Sequence, residues 1–138
     1  ALYSEILAIE AGLAENPYDE IGILQSELFR ANRLVVDTCM HYKRWTREEA
    51  MDYMKSVTGM SDTEVRVEIE RYIVWPGQAL SYKVGMIKIL ELRERAMKEL
   101  GDKFNIKDFH SAVLDHGNPP LFIVEEMVEK MIEETLSQ

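Results

Sequence analysis

The chain has 138 residues, 46% of them apolar and 30% charged, with 7 Gly and 4 Pro, a composition that fits a folded domain and excludes a disordered or collagen-like chain. Its 16 basic residues against 25 acidic ones give a formal charge of −9, which argues against a nucleic-acid or anionic-membrane surface, because phosphate binding needs an excess of Lys and Arg. A single cysteine, Cys39, excludes an internal disulfide and a Cys-rich zinc module. No apolar run approaches the ~20 residues of a membrane-spanning helix. The sequence opens at Ala1 without an initiator Met or a signal-peptide pattern, which predicts a processed or truncated product.

Helical periodicity dominates, and no segment alternates convincingly as a strand. From about Ala1 to Leu13 the spacing of Leu2, Ile6, Ile9 and Leu13 predicts a first helix. Asn16-Pro17 predicts the start of a second, with Asn as cap and Pro at the first helical position. This helix runs to about Tyr42 and sets Ile21, Leu24, Leu28, Ala31, Val35 and Cys39 on one face. Thr46-Arg47-Glu48-Glu49 and Ser61-Asp62-Thr63-Glu64 are capping boxes that open two further helices, with Gly59 in the turn between them. Trp75-Pro76-Gly77 breaks the pattern, because proline disfavours the α region at the residue before it. A long helix from about Gln78 to Leu100 follows and stops at Gly101. A short helix covers about Ile106 to Asp115 and ends at Gly117; Asn118-Pro119-Pro120 forces an extended connection, and a last helix covers about Leu121 to Leu136. The predicted architecture is all-α, an irregular bundle of six or seven helices forming one unit over residues 1–138.

The helices Thr46–Thr58 and Ser61–Val74 have the outline of a helix-turn-helix. The second of them, however, carries Asp62, Glu64, Glu68 and Glu70 against Arg66 and Arg71, and these carboxylates would repel DNA. His110 and His116 are six apart and no HExxH is present, so with His41 they are expected in surface or capping roles rather than as metal ligands. Gln78, Tyr82 and Gly85 stand at i, i+4 and i+7 of the predicted long helix, with Lys83 beside Tyr82. A tyrosine hydroxyl can donate to a developing oxyanion and a glutamine can orient a carbonyl; the competing reading packs the Tyr82 ring in a helix interface where Gly85 permits close approach. Glu27, Arg30, Arg33 and Asp37 form a polar set on the second helix. Intrahelical ion pairs on a solvated face account for it, unless other parts of a larger fold cover that face and make it a buried network. Trp45 and Trp75 read as staples for turns, the eight Met as core filler, and the acidic last helix, with Glu125, Glu126, Glu129, Glu133 and Glu134, as a solvated face.

Several segments together resemble one family. Ala1-Leu2-Tyr3-Ser4-Glu5 is similar to the end of a Glu-Gly-Trp-Ala-Leu-Tyr-Ser-Glu motif. The runs Glu27 to Thr38 (ELFRANRLVVDT), Trp45 to Ala50 (WTREEA) and Glu70 to Gly85 (ERYIVWPGQALSYKVG) fit the same pattern, as do Phe109-His110 with Val113-Leu114 and the turn from Gly117 to Leu121. The chain resembles, over nearly its whole length, the C-terminal portion of the bacterial DUF885 family, helical proteins similar to zinc metallopeptidases.

That resemblance implies a zinc-dependent hydrolase whose HExxPGHH motif and third ligand lie before Ala1. The chain itself would then hold no metal ligand and no cofactor, with zinc expected only in the longer protein, and would be inactive alone while forming one wall of a substrate cleft. By the same resemblance Tyr82 and His110 are the candidate transition-state or substrate contacts, and Gln78, Tyr72, Lys83 and Arg33 the candidate substrate-binding residues. The implied partners are the missing N-terminal part and a peptide substrate, with a homodimer through exposed apolar surface as a further expected association. The compartment stays open between bacterial cytoplasm and a periplasmic lipoprotein. Two alternatives remain: a self-standing acidic helical interaction module, and a small metalloenzyme built on His110, His116 and nearby carboxylates.

Overall fold

Local signals set the helix boundaries. The computed structural model describes residues 2–137, and its elements are α1 (Leu2–Glu10), α2 (Pro17–His41), α3 (Arg47–Thr58), α4 (Asp62–Val74), a 3-10 turn (Gln78–Leu80), α5 (Ser81–Leu100), a second 3-10 turn (Gly101–Lys103), α6 (Ile106–Leu114) and α7 (Leu121–Leu136). The all-α expectation of six or seven helices holds, with seven α-helices and no strand among the described residues. Among the same residues no helix is long and apolar enough to cross a membrane.

Each predicted cap forms. The Asn16 side chain accepts from the Tyr18 and Asp19 amides, and the Asp19 carboxylate accepts from the Asn16 amide in return. Thr46 with Glu49 and Ser61 with Glu64 repeat this reciprocal arrangement at α3 and α4. In both boxes the hydrogen bonds pull the glutamate below the usual carboxylate range, the Thr46 amide leading at Glu49 and the Ser61 hydroxyl at Glu64. The turn after α2 closes differently: the Trp45 amide reaches back to the Cys39 carbonyl at 3.0 Å, and Arg44 takes a left-handed φ of 59°. Helix ends usually give that position to glycine, because a Cβ there crowds the following carbonyl.

The chain divides into two compact units, Ala1–Val84 and Gly85–Gln138. In the first, α3 packs against α2 and α4 around Val36, Ala50, Met54, Val65, Ile69, Tyr72 and Ala79, with Phe29, Met40, Trp45, Met51, Tyr53 and Met60 closing over them. The rings of Trp45 and Tyr53 meet edge-on at 5.3 Å, so Trp45 does staple its turn. Trp75 does not: it is 62% exposed. In the second unit α6 packs against α7, with Phe109, Val124, Val128 and Ile132 buried, as are Leu92, Ala96 and Leu100 of α5. Lys88 and Arg95 of α5 pair with Glu125 of α7 at 3.0 and 3.4 Å. The acidic face expected to be merely solvated is thus partly an ion-pair seam.

Helix α2 departs most from expectation. An amphipathic helix buries its apolar stripe, yet Ile21, Leu24, Leu28 and Val35 are 58%, 59%, 44% and 38% exposed. The buried residues are Asn32, Arg33, Val36, Asp37 and Cys39. The polar set supposed to form intrahelical ion pairs instead faces inward and bonds to other elements.

Two substitutions in unit one test the local account by thermal or chemical unfolding. Arg44→Gly relieves the left-handed strain and is expected to stabilise by up to about 1 kcal/mol, the greater flexibility of glycine in the unfolded chain offsetting part of the gain. Thr46→Ala removes a cap and is expected to destabilise by about 1 kcal/mol.

Candidate functional site

The Trp75-Pro76-Gly77 break ends α4 and starts a sharp turn. Gly77 sits at φ 81°, in the region where a residue without Cβ is at ease. Its amide donates to both oxygens of Asp37, at 3.1 and 3.2 Å. The next residue, Gln78, accepts from Arg33 Nη2 through its side-chain carbonyl at 3.0 Å. Two residues one turn apart on α2 therefore hold two successive residues of the turn.

The pairing continues in both directions. Beyond Asp37, His41 Nε2 lies 3.0 Å from the Tyr72 carbonyl; a carbonyl only accepts, so this nitrogen carries the proton. Before Arg33, the Arg30 guanidinium lies 4.6 Å from the centroid of the Tyr82 ring, and Glu27 pairs with Lys83 at 2.5 Å. Residues 27, 30, 33, 37 and 41 of α2 thus meet residues 83, 82, 78, 77 and 72 in reverse order, an antiparallel polar ladder along one helix face. Arg33 and Asp37 in it are 1% and 2% exposed.

Arg33 is the centre. Its guanidinium lies 5.7, 5.4 and 5.2 Å from the Phe29, Tyr72 and Tyr82 rings, so ring faces supply much of the attraction that water would. Burial still pulls its pKa down, although a guanidinium stays charged in a folded protein. Tyr72 donates its hydroxyl to Glu68 Oε2 at 2.6 Å, and Arg71 pairs with the same carboxylate. Burial first, then the bond to Glu68, raises the Tyr72 phenol well above its ordinary range.

Of the residues singled out in the sequence, Arg33, Tyr72, Gln78, Tyr82 and Lys83 come together in unit one. Gln78 and Tyr82 do so by another route than the one expected: Gln78 lies in the 3-10 turn and Tyr82 in the first turn of α5, so the helical stripe Gln78, Tyr82, Gly85 does not exist and both residues converge on Arg33. His110 lies on α6 in the second unit, its ring centroid 5.8 Å from that of Phe109. His41 takes the surface or capping role expected of it: it is exposed and donates to the Tyr72 carbonyl in the last turn of α4. Among the described residues no three His, Cys, Asp or Glu are grouped so as to hold a metal ion, so these residues do not fit a zinc site.

Tyr72 yields a pH-dependent outcome. Its folded pKa stands above its unfolded one, so the stability it contributes is complete below about pH 10 and is lost as pH rises through the folded value. In an alkaline titration followed by phenolate absorbance, Tyr72→Phe is expected to leave the native-state amplitude unchanged, because Tyr72 ionises only when the fold gives way.

The DUF885 family model, described as bacterial protein of unknown function, matches residues 1–128. Among solved structures, "the putative lipoprotein from Colwellia psychrerythraea" is similar at a TM-score of 0.94 and 53% identity, over 96% of this chain and 23% of that one. The chain therefore spans less than a quarter of the length of that protein. No curated protein matches the chain. With the family model running from α1 through the first half of α7, and so across every rung of the ladder, the chain belongs to the bacterial DUF885 family of proteins of unknown function.

Proposed function

We propose that the chain is the C-terminal helical part of a longer zinc-dependent peptidase and forms one wall of its substrate cleft. The observation that carries this reading is the ladder: it spends buried charge on fixing one turn, and that turn launches α5 with Tyr82 on its first helical turn, half-exposed and flanked by two guanidiniums. Buried charge is a costly way to build a merely structural turn, and it suits a side chain that must be held in one orientation.

In this reading Tyr82 donates its hydroxyl to the carbonyl oxygen on which negative charge develops, with Gln78 beside it; His110, in the second unit, is a separate candidate for contact with substrate. A preformed donor of this kind acts without reorganising as charge appears. Arg33, Tyr72 and Lys83 work mainly as positioning residues, since Arg33 is buried, the Tyr72 hydroxyl is given to Glu68 and Lys83 is paired with Glu27. The metal and its ligands belong to parts of the protein outside this chain. The exposed stripe of Ile21, Leu24, Leu28 and Val35 is the natural seat for those parts, and in the isolated chain it would favour self-association.

In the full-length protein Tyr82→Phe keeps the ring under Arg30 and Arg33 and removes only the hydroxyl. Peptide hydrolysis is expected to fall in kcat by about ten- to a thousand-fold with KM little changed. An unchanged kcat would remove Tyr82 from the chemistry, and no hydrolysis of any peptide by the unaltered protein would remove the peptidase reading itself.

A further inference from the structure

Arg30 and Arg33 lie one turn apart, and their guanidiniums share the same two rings, Phe29 and Tyr82, at 4.6 to 5.7 Å. Like charges at this spacing on a helix repel. Neither guanidinium makes a direct ion pair with a carboxylate among the described residues; Glu68 acts on Arg33 only at longer range. The surrounding acids are committed elsewhere: Glu27 to Lys83, Asp37 to the Gly77 amide, Glu68 to Tyr72 and Arg71. Scarcity does not explain this, because the chain carries 25 acidic residues against 16 basic ones. Arg33 Nε is also buried without a hydrogen-bond partner, an unusual state for a charged donor.

Arg30 is the accessible member of the pair, Arg33 the buried one. Arg30 is half-buried and Tyr82 is 36% exposed. Gln78 turns its oxygen to Arg33, which leaves its amide nitrogen available as a donor. One accessible guanidinium, a second charge behind it and a neutral amide donor suit a planar monoanion, which a guanidinium grips through two parallel hydrogen bonds. A dianionic phosphate would meet more repulsion from a chain of net charge −9.

We propose that Arg30, backed by Arg33 and joined by Gln78, binds the C-terminal carboxylate of a peptide, so that the longer protein acts at the C-terminal end of its substrates. The inference rests on the peptidase reading above. The Tyr82 ring then does two things: its face seats the guanidinium and its hydroxyl, at the far end, meets the scissile carbonyl. An extended peptide advances about 3.3–3.6 Å per residue, so carboxylate and cut bond would lie within about two residues of each other.

The test uses the full-length protein and two pools of random N-acetylated hexapeptides, identical except that one carries free C-terminal carboxylates and the other amides. Mass spectrometry is expected to find cuts near the C terminus and cleavage of the acid pool at least about tenfold faster than of the amide pool. Arg30→Met should bring the two rates together, and Arg30→Lys should retain part of the preference. Equal rates for both pools would overturn the inference and leave the peptidase reading standing; a carboxylate from elsewhere in the protein occupying Arg30 would give that result. If neither pool is cut, the peptidase reading falls, and retention on the immobilised protein decides. Preferential retention of the acid pool, lost in Arg30→Met, keeps the carboxylate site, and equal or absent retention of both pools overturns it.

Discussion

A charged stripe turned inward is the constraint on which unit one depends. Arg33 and Asp37 have opposite charges one turn apart, but they do not neutralise each other by a direct bond; each reaches across to the turn at Gly77 and Gln78. The turn is therefore specified by two long-range hydrogen bonds as well as by its Pro and Gly. A buried charge that keeps its partner contributes little net stability, whereas one that loses its partner is costly by about 3–5 kcal/mol. Such a device gives the chain a single acceptable register: slipping α2 by one residue against the turn would strand both charges together.

The inversion of α2 follows from the same device. A helix has one circumference, and when the polar stripe is used for the turn the apolar stripe must look elsewhere. Ile21, Leu24, Leu28 and Val35 therefore face out of unit one. The remaining hydrophobic packing falls to α3 and α4, whose Met54, Val65 and Ile69 are almost wholly buried and contribute about 1.5–3 kcal/mol each.

Helix starts and stops were legible in the sequence because they are local. Asn16, Thr46, Ser61 and Pro76 act within three or four residues of themselves, and each did what its chemistry requires. The orientation of α2 was not legible. Hydrophobic periodicity names a face but not what covers it, and the rule that apolar means inward presumes that the core belongs to the same stretch of chain. The residues of the candidate site were recognisable in part: Gln78 and Tyr82 drew attention by spacing on a helix that Gln78 does not in fact join. Arg30 and Asp37 were visible as a polar set, but their partners lie some forty to fifty residues away, beyond any local pattern. His110 was grouped with Tyr82 by resemblance alone, and it stands in the other unit.

Gly77 carries one more consequence. A Cβ placed there would meet nothing within 4 Å, so the pocket is not what reserves the position for glycine. The reservation is one of handedness: φ of 81° disfavours L-residues because of their own backbone, whatever the space around them. Among the genetically encoded alternatives asparagine and aspartate would be the least penalised, and a β-branched residue the most, although all of them would fit by volume. Chirality, rather than crowding, restricts what this turn accepts.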